Sequence, residues 1–125
     1  MSPGEAKYPG RAPIDAYGNR GFRFAGMSHR GSILCLPEAI MAWDADNAAA
    51  LTPANFAAVL GHKDQVRVLL LGTGLVQVFP SEAVRAALHE AGIVVEIMNT
   101  GAACRTYNVL LAEGRPVAAA LIAVD

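Results

Sequence analysis

Three apolar runs in the second half of the chain constrain the fold more than any other feature. "VRVLLL" at 66–71, "IVVEIM" at 93–98 and "PVAAALIAV" at 116–124 carry apolar side chains at nearly every position instead of every second one. A strand that is apolar on both faces is buried on both faces, so its sheet must be covered from each side. The covering elements stand between the runs. "PSEAVRAALHEAG" spaces its apolar residues as a helix over 80–91 ended by Gly92, and 101–113 reads as a second helix stopped by Gly114. A βαβαβ series with right-handed crossovers places the three strands in one sheet with the helices packed on it.

The first half has a different character. Residues 1–13 contain Pro3, Gly4, Pro9, Gly10 and Pro13, and read as a poorly ordered arm ahead of a single domain at 14–125. In "IDAYGNRGFRFAG", Gly18-Asn19-Arg20-Gly21 is a turn between strands that bring Phe22 and Phe24 inward and leave Arg23 outward. The run Ser32 to Leu36, ended by Pro37, and the segment around Ile40 and Trp43 add further strands, so 14–44 reads as three or four antiparallel strands. Thr52-Pro53 marks a helix start, with Phe56, Val59 and Leu60 at helical spacing before Gly61. The fold class is therefore α/β: three layers, with a central mixed sheet and an N-terminal antiparallel β layer.

Composition narrows the functions. Apolar residues make up 54% of the 125 residues and charged ones 17%, and ten Lys plus Arg against eleven Asp plus Glu leave a net charge of −1. No broad basic field attracts a phosphate backbone, which argues against nucleic acid. A surface with few charges and many alanines leads us to expect a protein partner or a weak homo-oligomer. The longest apolar stretches are too short or too interrupted to span a bilayer, and the opening residues carry no apolar run of signal-peptide length, so the expectation is a cytoplasmic protein. Cys35 and Cys104 are far apart and have no metal-ligand spacing, so neither a disulfide framework nor a bound metal or other cofactor is expected.

Candidate site residues fall at the junctions where two strands end. Gly72-Thr73-Gly74 comes directly after 66–71, and "NTGAACRTYN" at 99–108 comes directly after 93–98. Ligands of open α/β sheets bind beyond the carboxyl ends of strands, near unsatisfied backbone amides, and two parallel strands would bring both junctions to one crevice. Thr100 is placed to cap the last helix. Cys104, in its first turn beside Arg105, sits where helix dipole and cation favour a thiolate, although Cys is also a common inert core residue. Arg105 could clamp a small anion, and Asn108 lies one turn beyond Cys104 on the same face. Equally, Gly72 to Gly74 could be only a tight turn, and Thr100 and Asn108 could only tie loops together. His29 reads as a turn or surface histidine; His62 and His89 look ordinary.

The ordered set "YGNRGFRFAG", "HRGSILCLP", "AW", "LLLGTG" and "NTGAACRTYNVLLAEGRPVAAALI" resembles a small domain family of unknown function. That family includes mitochondrial complex I assembly factor 3 and the adipogenesis-associated domain proteins, and the resemblance covers about residues 14–124. It implies a compact β plus α/β/α three-layer fold. The family positions matched are Gly72, Thr73, Gly74, Thr100, Ala103, Cys104, Arg105, Tyr107 and Asn108. The mitochondrial relatives act through protein partners in assembling the NADH:ubiquinone oxidoreductase. The resemblance thus implies a non-enzymatic interaction or assembly factor of the bacterial type. The competing expectation is a small-molecule or anion binder, or a thiol enzyme using Cys104, in the crevice between 72–74 and 99–108.

Overall fold

The computed structural model describes residues 7–125. Its strands are β1 (Lys7–Tyr8), β2 (Ile14–Gly18), β3 (Gly21–Phe24), β4 (Met27–Arg30), β5 (Ile33–Cys35), β6 (Ile40–Ala42), β7 (Val68–Gly72), β8 (Val94–Met98) and β9 (Val117–Leu121). Its α-helices are α1 (Ala57–Leu60), α2 (Glu82–Glu90) and α3 (Thr100–Ala112), with 3-10 turns at Ala48–Ala50 and Pro53–Phe56. Six strands form the central sheet in the order β1-β6-β5-β9-β7-β8, and β2-β3-β4 form a separate antiparallel sheet. The three-layer α/β fold is as the sequence indicates.

The topology explains the layering. From β7 the chain crosses to β8 through α2, then returns over β7 to β9 through α3, and all three strands run parallel. Right-handed crossovers taken in opposite directions along a sheet put their helices on opposite faces. Val84 and Leu88 of α2 therefore join Phe56, Val59, Leu69 and Leu71 in one core. Ala103, Cys104 and Tyr107 of α3 join Phe22 and Phe24 of the small sheet, with Leu70 and Leu121, in the other. The alanines of β9, Ala118 to Ala120, are fully buried between the two cores. Their methyl groups go to close packing, so this run contributes nothing to the alanine-rich surface expected from composition.

Four details differ from the sequence reading. Tyr8 and Lys7, in the stretch expected to be a loose arm, pair with Ile40 and Met41, and the Tyr8 ring meets Phe24 edge-on at 6.4 Å. Residues 1–6 of that arm lie outside the described residues. His29, expected in a turn or at the surface, lies in β4 and is buried opposite Phe22. Of the strands read in 14–44, the first three form the small sheet, whereas β5 and β6 belong to the central one, where β5 meets β9 antiparallel. β8 is an edge strand, so despite its apolar run Val94 is 57% exposed.

Both turns of the small sheet use left-handed backbone, at Asn19 (φ 50°) and Arg20 (φ 63°) and again at Ala25 (φ 51°) and Gly26 (φ 74°). Such turns match the twist of a hairpin, and Arg20, which bears a steric cost there, is held by its amide on the Val124 carbonyl at 2.7 Å.

Gly72 sets the distance between α3 and the sheet. A Cβ there would lie 3.0 Å from Thr100 Cα and 3.1 Å from both Ala103 Cβ and Leu121 Cδ2. Gly72→Ala should therefore force the helix outward and cost roughly 1–3 kcal/mol, the range for overpacking a close-packed core, measured as a shift in the urea midpoint with an unchanged slope.

Candidate functional site

The two junctions meet at the carboxyl end of the parallel strands. Thr73 follows β7, and its amide bonds the Met98 carbonyl at the end of β8 at 2.9 Å. Its hydroxyl donates to the Val76 carbonyl at 2.7 Å and accepts from the Val78 amide at 3.0 Å, closing the loop on itself. Gly74, at φ 107°, takes a backbone shape that side chains strongly disfavour. It exchanges two bonds with Thr100, its amide donating to Oγ1 and its carbonyl accepting from the Thr100 amide, each at 2.9 Å.

Thr100 is fully buried and does more than cap a helix. The cap is Asn99, whose Oδ1 accepts from the Ala102 amide at 2.8 Å. The Thr100 hydroxyl, one residue later, donates to the Ile122 carbonyl at 2.7 Å while accepting from Gly74. It joins the loop after β7, the start of α3 and the chain leaving β9. Asn108, two turns along α3, makes the corresponding link to the other sheet: Oδ1 accepts from the Ile14 amide at 2.8 Å and Nδ2 donates to the Ile14 carbonyl at 2.9 Å. The side chain thus occupies the place of a neighbouring strand.

These bonds consume the amides that sequence reasoning expected to stand open. Among the described residues only the Gly101 amide of the first α3 turn has no partner, and the Tyr17 hydroxyl stands over it so closely that a Cβ on Gly101 would collide with it. Arg105 is exposed and its Nη1 reaches the Tyr17 hydroxyl at 3.4 Å. What is left between the junctions is a depression of about 140 Å³ lined by Tyr17, Gly74, Leu75, Asn99, Gly101 and Arg105. Of the site residues read from the sequence, Gly74 and Arg105 line it, and Gly72, Thr73, Thr100, Cys104 and Asn108 do not.

Cys104 points into the core, at 2% exposure, with Cys35 also buried. Burial pushes the Cys104 thiol up to about 12, and the neighbouring Arg105 charge offsets only part of that. Cys35 is raised still further, by burial first and by the nearby Cys104 second. Desolvation outweighs the dipole and cation that favoured a thiolate in the sequence reading, and neither cysteine presents a thiolate in this geometry. A thiolate-dependent reagent at about pH 8 should modify neither cysteine in the folded protein and both after denaturation; thiol counting by absorbance decides this, and rapid native modification of Cys104 would contradict it. His29 is shifted down by the burial that the sequence did not reveal. Among the described residues no cluster of His, Cys, Asp or Glu could hold a metal.

Leu75, Val76 and Phe79 escaped sequence reasoning. They are 74%, 65% and 62% exposed on the loop between β7 and α2, which Thr73 and a bond from Gln77 Nε2 to the Ile97 carbonyl (2.8 Å) hold in place. The available signal was that the apolar run "LVQVFP" continues past the end of its strand. Such a run outside an element that could bury it is a surface patch.

Fold and junctions together define a small three-layer α/β domain in which the strand-end cluster braces the layers. The chain belongs to the family described as "protein of unknown function (DUF498/DUF598)", which matches residues 14–122. It is 42% identical to an uncharacterised protein of Rhodobacter capsulatus over 98% of this chain and 93% of that one. It is 30% identical to the mouse protein named NADH dehydrogenase [ubiquinone] 1 alpha subcomplex assembly factor 3, over 94% of this chain. The chain spans 64% of that assembly factor's length. A crystal structure described as an outer membrane protein from Bartonella henselae superposes with a TM-score of 0.91 at 53% identity, covering 94% of this chain and 99% of that one. No helix among the described residues of the present chain is long and apolar enough to cross a membrane.

The junction bonds carry a direct test. Thr100→Val keeps the shape of the side chain but leaves the part-buried Gly74 amide and the buried Ile122 carbonyl unpartnered. The variant should lose about 2–4 kcal/mol of stability, one to two buried unsatisfied groups' worth, read by chemical denaturation; a loss below about 1 kcal/mol would mean the bridge is dispensable.

Proposed function

We propose that this protein is a non-enzymatic binding factor that contacts a protein partner through the loop after β7, as part of assembling a respiratory NADH dehydrogenase. The observation that carries the reading is the loop itself. Leu75, Val76 and Phe79 stand in water on a backbone that internal hydrogen bonds already hold. A pre-ordered apolar loop loses little entropy on docking, and burial of such side chains contributes about 1.5–3 kcal/mol each. The depression beside it, with Arg105 and the Tyr17 hydroxyl at its rim, supplies the polar border that surrounds an apolar contact centre. The relatives named as assembly factors support the same reading, since assembly proceeds by protein contacts. The buried thiols and the occupied amides speak against the thiol-enzyme alternative.

The test is co-purification from the native host with tagged protein, followed by mass spectrometry, using wild type and Leu75→Ser/Phe79→Ser. Wild type should retain a respiratory-chain subunit or assembly protein, and the variant should lose it, with binding at least about tenfold weaker and an unchanged melting temperature. Recovery of no partner above background, or equal recovery by both forms, would defeat the proposal.

A further inference from the structure

The small sheet has a second face, turned away from the core. Strand pairing sets which side chains share it: Arg23 lies opposite Ala16 on one side and Ser28 on the other, and Gly21 lies opposite Gly18 and Arg30. Side chains alternate across a strand, so Arg23 and Gly21 fall on one face while Phe22 and Phe24 turn to the core. Ala16, Gly18 and Gly21 offer a methyl group or nothing, and the outer face is hollow there, with a basin of about 440 Å³. A Cβ at Gly21 would collide with the His29 carbonyl, so the close strand approach that shapes this floor depends on glycine.

The walls of the basin are charged with one sign. Arg23, Ser28 and Arg30 line it together with Tyr17 and Asn19, and among the described residues no acidic side chain does. Among the described residues neither Arg23 nor Arg30 makes an ion pair, whereas Arg20, the third arginine of these hairpins, meets Asp125 at 3.5 Å. Residues 14–30 hold three arginines and one acid, Asp15, a local charge of +2, so the rest of a chain with net charge −1 carries −3. Each guanidinium can grip a carboxylate through two parallel hydrogen bonds. A small ion in so open a basin would remain largely hydrated, because small-ligand sites enclose most of their ligand. A protein segment brings its own cover. Arginine is a residue interfaces favour, and β4, an outer strand of its sheet, has among the described residues no strand on its far side to block an extended chain.

We propose that this basin receives an extended acidic segment of a partner protein, with its carboxylates on Arg23 and Arg30. The assignment rests on the partner-binding reading above and gives that partner a chemical character. A fluorescein-labelled poly-glutamate peptide, followed by anisotropy at low salt, tests it on the full chain. Wild type should bind saturably, more weakly as salt rises. Arg23→Gln/Arg30→Gln should bind at least about tenfold less tightly with an unchanged melting temperature. Arg67→Gln/Arg85→Gln, which removes the same charge elsewhere, should bind as wild type does, and so should Leu75→Ser/Phe79→Ser. Absence of saturable binding, an equal loss in the Arg67/Arg85 control, or complete displacement of the peptide by millimolar inorganic phosphate would overturn the assignment. Loss of partner capture by the intact protein while peptide binding persists would instead count against the loop alone and leave the basin standing.

Discussion

The buried hydroxyl of Thr100 is the point on which the arrangement of layers depends. It touches, at once, the loop leaving β7, the first turn of α3 and the chain leaving β9. Each of these segments brings polar backbone to this point, and at the Ile122 carbonyl water is excluded. A buried amide or carbonyl left without a partner costs about 1–3 kcal/mol, so three elements can converge here only if something small and both donating and accepting stands between them. Threonine meets that requirement, and Gly72 beneath it lets the helix come close enough for the bonds to form.

The same logic runs through the cluster at 99–108. Asn99 caps the helix, Thr100 bridges strand ends, Asn108 extends the small sheet by mimicking a strand, and Tyr107 and Cys104 fill the core between them. Polar residues concentrated between two apolar elements arise here because α3 lies between two sheets and must satisfy backbone from both. Arg105 and Tyr17 face outward, and they border the surface that carries the proposed partner contact.

That division leaves the two proposed contacts to surface features of opposite chemistry. One is an apolar loop held by the Thr73 hydroxyl; the other is a basic hollow made by small residues in a hairpin sheet. The meander carries three of the ten Lys and Arg residues against a single acid, which is how a weak net charge coexists with a local electrostatic preference.

Much of the fold was legible in the sequence, because its signals are local. The continuous apolar runs of β7 and β9, the helical spacing of α2 and α3, and the turn residues around Gly18 to Gly21 each express a period or a backbone preference that needs no knowledge of neighbours. Apart from Glu96 at the centre of β8, nothing local distinguishes β8 from β7, and it is the strand order, which puts β8 at the edge, that exposes Val94. The cluster at 99–108 was visible as a location, while its meaning was not: the sequence determines that Cys104 stands beside Arg105 at a helix start, but whether that thiol meets water or core depends on which face of α3 the small sheet covers. Likewise Thr100 as cap or as bridge, and "LVQVFP" as core or as surface, are decided by contacts between residues far apart in the chain. The sequence by itself settled the β7–α2–β8–α3–β9 series and most of the strands before it; the tertiary structure decided which polar groups are spent on holding those elements together and which remain at the surface, because desolvation and hydrogen-bond satisfaction act only once distant segments have met.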